Sequence, residues 1–200
     1  MSWMYERPWL TEEELDCLRI KRGKDCKISR DARIFGGQNV TLSDNVRIDA
    51  GTIILAANGF LKVGKHVHIS CHNLLLCAGG ITLRDHCGIS FGNKLISASE
   101  DFASGNFLLN PNVPEKYRNP SKSEIVMDNF AMLGTGSLVL QGAWLREGAV
   151  VGGMSLVKPH QVIPAWELWH GTPAKFSRAR AGNGAIEKAW DWANEYAEQE

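Results

Sequence analysis

From Met127 onward every sixth residue is aliphatic: Met127, Leu133, Val139, Leu145, Val151 and Val157. Four positions after each of the first five stands a small residue, Ala131, Ser137, Ala143, Ala149 and Ser155. An α-helix cannot gather such aliphatics on one face, because six residues of a 3.6-residue turn leave successive side chains about 120° apart. A coil with three flat sides can. Each side is a short strand whose aliphatic residue points inward, and the small residue fits the tight corner. The same heptad recurs upstream as Leu42–Ile48, Val63–Ile69 and Leu83–Ile89, about 20 residues apart, and again at Met127–Leu133 and Leu145–Val151. Repeats of this period predict a parallel β-helix, in which stacked coils bury one continuous aliphatic column.

A solenoid exposes open edges only at its ends, and both ends carry capping sequences. Thr11-Glu12-Glu13-Glu14 reads as an N-cap with a capping-box glutamate, followed by Leu15 and Leu18. Near the other end Ile186, Ala189, Trp190, Ala193 and Tyr196 fall at helical spacing after a Gly182-Asn183-Gly184 hinge. Trp166 and Trp169 are expected to cover the open end of the coil. Between Asp101 and Ser123 the six-residue phase is lost and Pro111, Pro114 and Pro120 intervene, which predicts a long projecting loop. The expected organisation is an N-terminal helical cap over 1–25, a β-helix over 26–175 with the loop 101–123 inserted, and a helical tail over 176–200.

Composition narrows the possible functions. Lys+Arg and Asp+Glu both number 22, so there is no net charge to attract nucleic acid. No window approaches the ~18 apolar residues of a membrane span, and the first ten residues do not read as a secretory signal. Five cysteines without a C-x-x-C pair predict buried, reduced thiols and a cytoplasmic setting.

The repeat, the loop and the closing segment Val151-Gly-Gly-Met-Ser-Leu-Val-Lys158, Pro164, Gly171-Thr-Pro-Ala-Lys175 and Arg178 resemble the hexapeptide-repeat acyltransferases, a left-handed β-helix family. Ser97-Ala-Ser-Glu-Asp-Phe102, Asn110-Pro111 and Val113-Pro-Glu-Lys-Tyr117 are similar to the branch that acetylates sugars in polysaccharide gene clusters. The resemblance implies a homotrimer with sites between subunits, acetyl-CoA as donor and a sugar or nucleotide-sugar as acceptor, with no metal. A pantetheine groove is expected at Gly134, Gly136, Gly152, Gly153 and Ser155, with amides near Gly134 holding the thioester oxyanion. The anionic head of CoA is expected at Lys158, Lys175, Arg178 and Arg180, and Trp144 is placed either on its adenine or against a neighbouring subunit. The larger family has a catalytic histidine just before the long loop, where this sequence has Ser99-Glu100-Asp101. Acyl transfer to a hydroxyl needs a proton acceptor, so Asp101 is the expected base, then Glu100, with His72 as the alternative.

His66 and His86 share a corner phase and are expected to stack. Two other functions fit the fold: a non-catalytic trimeric assembly module, and a γ-class carbonic anhydrase. The second needs three histidine ligands with a His-x4-His pair, and His66, His68 and His72 do not supply that spacing.

Overall fold

A computed structural model describes residues 8–197. The chain winds as a three-sided parallel solenoid of about seven coils. One side is a seven-stranded sheet running from Lys21–Arg22 to Val162–Ile163. The second is an eight-stranded sheet from Lys27–Ile28 to Glu167–His170, closed by Lys175–Ala179. The third is a six-stranded sheet from Arg33–Phe35 to Leu156–Val157. The first rung thus lies at Lys21, ahead of residue 26.

The six-residue phase is the inward position. Met127, Leu133, Val139, Leu145, Val151 and Val157 are all fully buried, as are their counterparts Ile48, Ile54, Ile69, Leu75 and Leu95 in earlier coils. Leu42, Val63, Leu83, Met127, Leu145 and Ile163 pair in register up the seven-stranded sheet. Ala131, Ala143 and Ala149 are fully buried beside the corners, where a larger side chain would meet the column. Each such aliphatic contributes about 1.5–3 kcal/mol on burial.

The corners repeat as faithfully as the sides, although their residues differ. Asn45, His66, His86, Phe130, Gly148 and Trp166 all adopt positive φ at the corner between the seven- and eight-stranded sheets. Their rings stack: His66 on His86 at 5.1 Å, His86 on Phe130 at 5.0 Å, and Phe130 on Trp166 at 6.3 Å. Between the eight- and six-stranded sheets the buried polar residues form a ladder. Asn73 Oδ1 accepts the Asn93 amide, Asn93 Oδ1 accepts the Ser137 amide, and Ser137 Oγ accepts the Ser155 amide.

The N-terminal helix α1 (Glu12–Cys17) carries the expected capping box: the Thr11 amide donates to Glu14 Oε2 and the Glu14 amide to Thr11 Oγ1. Leu15, 1% exposed, closes the front of the column. At the back, Trp169 packs on the core from the Glu167–His170/Lys175–Ala179 hairpin. Trp166 does not cover the end; it joins the corner stack. Helix α2 (Asn183–Ala197) returns along that corner, where Trp192 meets His66 edge-on at 4.4 Å and His86 at 6.0 Å.

The long loop leaves the solenoid undisturbed. Asn93 bonds to Ser137 across 44 residues as Asn73 bonds to Asn93 across 20. The loop is tied off by an antiparallel pair, Ala98–Ser99 with Ser121–Lys122. Beyond it Phe102, Phe107, Leu108, Leu109 and Tyr117 are exposed.

Candidate functional site

The expected base does not have the environment of a base. Asp101 Oδ1 accepts the amides of Ala103 and Ser104 at 3.2 and 3.0 Å, and Oδ2 accepts Asn119 Nδ2 at 3.0 Å. These bonds, that from Ser104 foremost, hold the exposed carboxyl at about 2, so it stays ionised and binds protons poorly. Asp101 is a staple across the neck of the loop. Glu100 is occupied as well: both its oxygens receive the Arg118 guanidinium, with each side chain only 16% exposed. His72 lies exposed at a corner, its ring over Gly51, with no carboxylate partner among the described residues.

Of the glycines expected to line a pantetheine groove, Gly134 and Gly136 pack closely on the next coil, while Gly153 is exposed. A Cβ on Gly134 would come 2.5 Å from the Gly153 nitrogen, and one on Gly136 would come 2.6 Å from the Met154 sulfur. The Gly134 amide donates to Val151 O at 2.7 Å and the Gly136 amide to Phe91 O at 2.8 Å, so neither is available to an oxyanion. Ser155 is 3% exposed, donating to Gly152 O and accepting the Gly171 amide. Its hydroxyl and amide belong to the internal ladder.

The terminal cations divide. Lys158 and Lys175 are exposed, and Gln161 draws their backbones together by accepting the Lys158 amide at 2.9 Å and donating to Ala174 O at 3.0 Å. Arg178 is exposed beside Leu168 on the eight-stranded sheet. Arg180 donates to Gly148 O and lies 5.9 Å from the Trp166 ring centroid. Trp144 stands on the outer face of the seven-stranded sheet. Its Nε1 donates to Asp128 Oδ2 at 2.9 Å and the Arg146 guanidinium stacks 4.0 Å from its ring. Arg84 Nε lies 3.2 Å from the other Asp128 oxygen, an ion-pair distance without hydrogen-bond geometry.

A titratable pair absent from the expected site lies on the eight-stranded sheet. His68 Nε2 is 2.7 Å from Asp49 Oδ2, while Arg47 Nε donates to Oδ1 at 2.7 Å. The two partners are 19 residues apart, about one coil, and that spacing is the signal by which the sequence could have paired them. Histidines 66, 68 and 72 do not converge as a zinc set: two lie at different corners and one on a sheet face. Among the described residues no group of three or more His, Cys, Asp or Glu is placed to hold a metal ion.

A parallel solenoid with a projecting loop and a cationic last coil defines the class. No family model matches the chain. Relatives matched over about three quarters or more of their length do. It is 33% identical over 168 residues to the dTDP-4-amino-4,6-dideoxy-D-glucose acyltransferase of Escherichia coli, covering 84% of this chain and 86% of that one. It is 30% identical to the putative lipopolysaccharide biosynthesis O-acetyl transferase WbbJ of E. coli K12, over 75% of this chain and 74% of that one. The crystal structure of AntD, an N-acyltransferase from Bacillus cereus in complex with dTDP and 3-hydroxybutyryl-CoA, superimposes with a TM-score of 0.82 at 27% identity, covering 96% and 98% of the two chains. The chain belongs to the hexapeptide-repeat acyltransferases. It is an acyltransferase, and the non-catalytic module is set aside.

Proposed function

We propose that the protein transfers an acyl group from acyl-CoA to the amino group of a dTDP-linked 4-amino-4,6-dideoxyhexose, for synthesis of a surface polysaccharide. The observation that carries this reading is likeness along nearly the whole chain to an acyltransferase named for that sugar nucleotide and to an N-acyltransferase bound to dTDP and an acyl-CoA. The locked loop carboxylates agree with it, since an amine attacks a thioester as its own neutral nucleophile, whereas a hydroxyl needs a base to become one. WbbJ supports a second reading, O-acetylation.

The donor site is assigned to the last coils, with Lys158 and Lys175 on the 3′-phospho-ADP head of CoA. Bound there, acyl-CoA supplies the activated thioester. The protein is read as a homotrimer because the six-stranded sheet turns Ile53, Leu55, Leu74, Leu76, Leu138 and Leu140 outward, an apolar face that a second and third copy would cover. No helix among the described residues is long and apolar enough to cross a membrane. The five cysteines are free, which suits the reducing cytoplasm where acyl-CoA is made.

The test offers acetyl-CoA with dTDP-4-amino-4,6-dideoxyglucose or dTDP-glucose, following thiol release and the mass of the product. Turnover of the amino sugar alone is the expected result; turnover of dTDP-glucose alone establishes the second reading, and turnover of neither refutes both. Lys158→Ala/Lys175→Ala should weaken CoA binding about tenfold or more by calorimetry, as loss of two phosphate-facing cations implies.

A further inference from the structure

Among the described residues, His68 is aimed by a carboxylate, that of Asp49. Asp49 follows strand Arg47–Ile48 with its side chain 9% exposed. Oδ1 accepts Arg47 Nε at 2.7 Å; Oδ2 faces His68 Nε2 at 2.7 Å and accepts Arg47 Nη2 at 3.3 Å. Burial works to raise the Asp49 pKa, but the bonds from Arg47 and His68 outweigh it and the net shift is downward. An ionised carboxylate only accepts, so His68 carries its hydrogen on Nε2 and keeps the lone pair on Nδ1. The ring is 47% exposed. Arg47 is held in turn by the Trp9 ring, 5.1 Å away. The charged side chains facing the imidazole are therefore Asp49 and Arg47, from the preceding rung.

On the following rung Gly88 pairs in register with His68 and has no side chain. A Cβ there would fall 2.5 Å from Met132 Sδ and Cε, so the gap beside the imidazole is roofed by one flexible, 39% exposed methionine. His66 and His86 are committed to the corner stack, and His72, His160 and His170 are exposed without a carboxylate partner among the described residues.

We propose that His68, oriented by Asp49, accepts the proton released when the acceptor amine is acylated, an inference that rests on the function given above. The amine lone pair forms the N–C bond, the C–S bond breaks, and its electron pair leaves on the CoA sulfur. The proton passes from nitrogen to His68 Nδ1 and then to the thiolate. The products are the amide and free CoA thiol, and the imidazole returns to its neutral form. Asp49 acts through His68 as a positioning residue.

The experiment uses the full chain with acetyl-CoA and dTDP-4-amino-4,6-dideoxyglucose. His68→Gln keeps a donor toward Asp49 but cannot take the proton. It should lower kcat by about 100-fold or more, with CoA affinity and thermal melting as in the wild type. Asp49→Asn should lower kcat less than His68→Gln while leaving KM for both substrates unchanged, because the ring stays in place but loses the acceptor that orients it. His68→Gln within about threefold of an active wild type overturns this inference alone. A wild type that turns over no acceptor overturns the parent reading and this one with it.

Discussion

Replacing Asn93 by alanine removes the middle rung of the buried polar ladder, and the structure sets the size of the effect. Asn93 is fully buried; its Oδ1 accepts the Ser137 amide at 2.7 Å and its Nδ2 donates to Ser90 O at 2.7 Å. Alanine can make neither bond, and it leaves one donor and one acceptor without partners inside the corner. Each orphaned group costs about 1–3 kcal/mol, so the loss should be about 2–6 kcal/mol. For a chain of this length that lowers Tm by about 4–24 °C, read by calorimetry at fixed protein concentration because assembly couples to stability. Asn93→Asp separates hydrogen bonding from mere volume. Its carboxylate still accepts from Ser137 but opposes the Ser90 carbonyl, and burial raises its pKa, so this variant should gain stability as pH falls and the acid form donates to Ser90. Lys27→Ala, exposed on the eight-stranded sheet, should stay within about 0.5 kcal/mol of wild type. If Asn93→Ala also stayed within that range, the ladder would carry no net stability and the reasoning would fail.

Asp101→Ala should leave the fold intact but open the loop neck, so that chymotrypsin cuts faster at exposed Phe102, Phe107 and Tyr117; unchanged cleavage would mean the loop does not depend on this staple. In the wild type the Asp101 carboxyl is held at about 2, so its contribution is complete above the ordinary 3.8 and is lost as pH falls through about 2. The Ala103 and Ser104 amides should therefore remain protected from hydrogen exchange at pH 4. At the corner stack, burial first, then the charge of its neighbour for His66, lowers the pKa of both histidines. Their neutral form is favoured on folding, so stability is fully present above 6.5 and declines as pH drops below it. His86→Phe should raise Tm at pH 5.5 and flatten that decline, since Phe130 already occupies the next rung at φ 62° in the same stack. A decline as steep as the wild type's would place the acid sensitivity elsewhere.

The aliphatic column was legible in the sequence because the inward position makes the same demand in every coil. Leu42, Val63, Leu83, Met127, Leu145 and Ile163 occupy one register, and none of them can be polar without facing the column. The corner demands a backbone conformation, not a side-chain chemistry. Asn, His, Phe, Gly and Trp all meet it, so only the recurrence of His66 and His86 betrayed the stack. Ser137 and Ser155 sit at corners, as their small size predicts, but a residue's own spacing does not say whether its hydroxyl is spent on backbone, as that of Ser155 is.

The site was harder to read for a related reason. The acids before the loop stand where the family has its histidine, and that position drew attention to Asp101 and Glu100. What disarms them, Asn119 and Arg118, lies 18 residues further on, across a loop with no periodicity to predict the meeting. Asp49 and His68 are the opposite case: two residues with nothing local to mark them, brought together by the regularity of the coil. In a solenoid a titratable residue is best read against positions about 20 away, because the neighbour that sets its protonation sits on the next rung. Arg47 pairs with His68 in register, and Asp49, two residues along the same strand direction, reaches the same ring. The feature that made the fold easy to recognise is therefore also what assembles a proton-handling pair from unremarkable sequence.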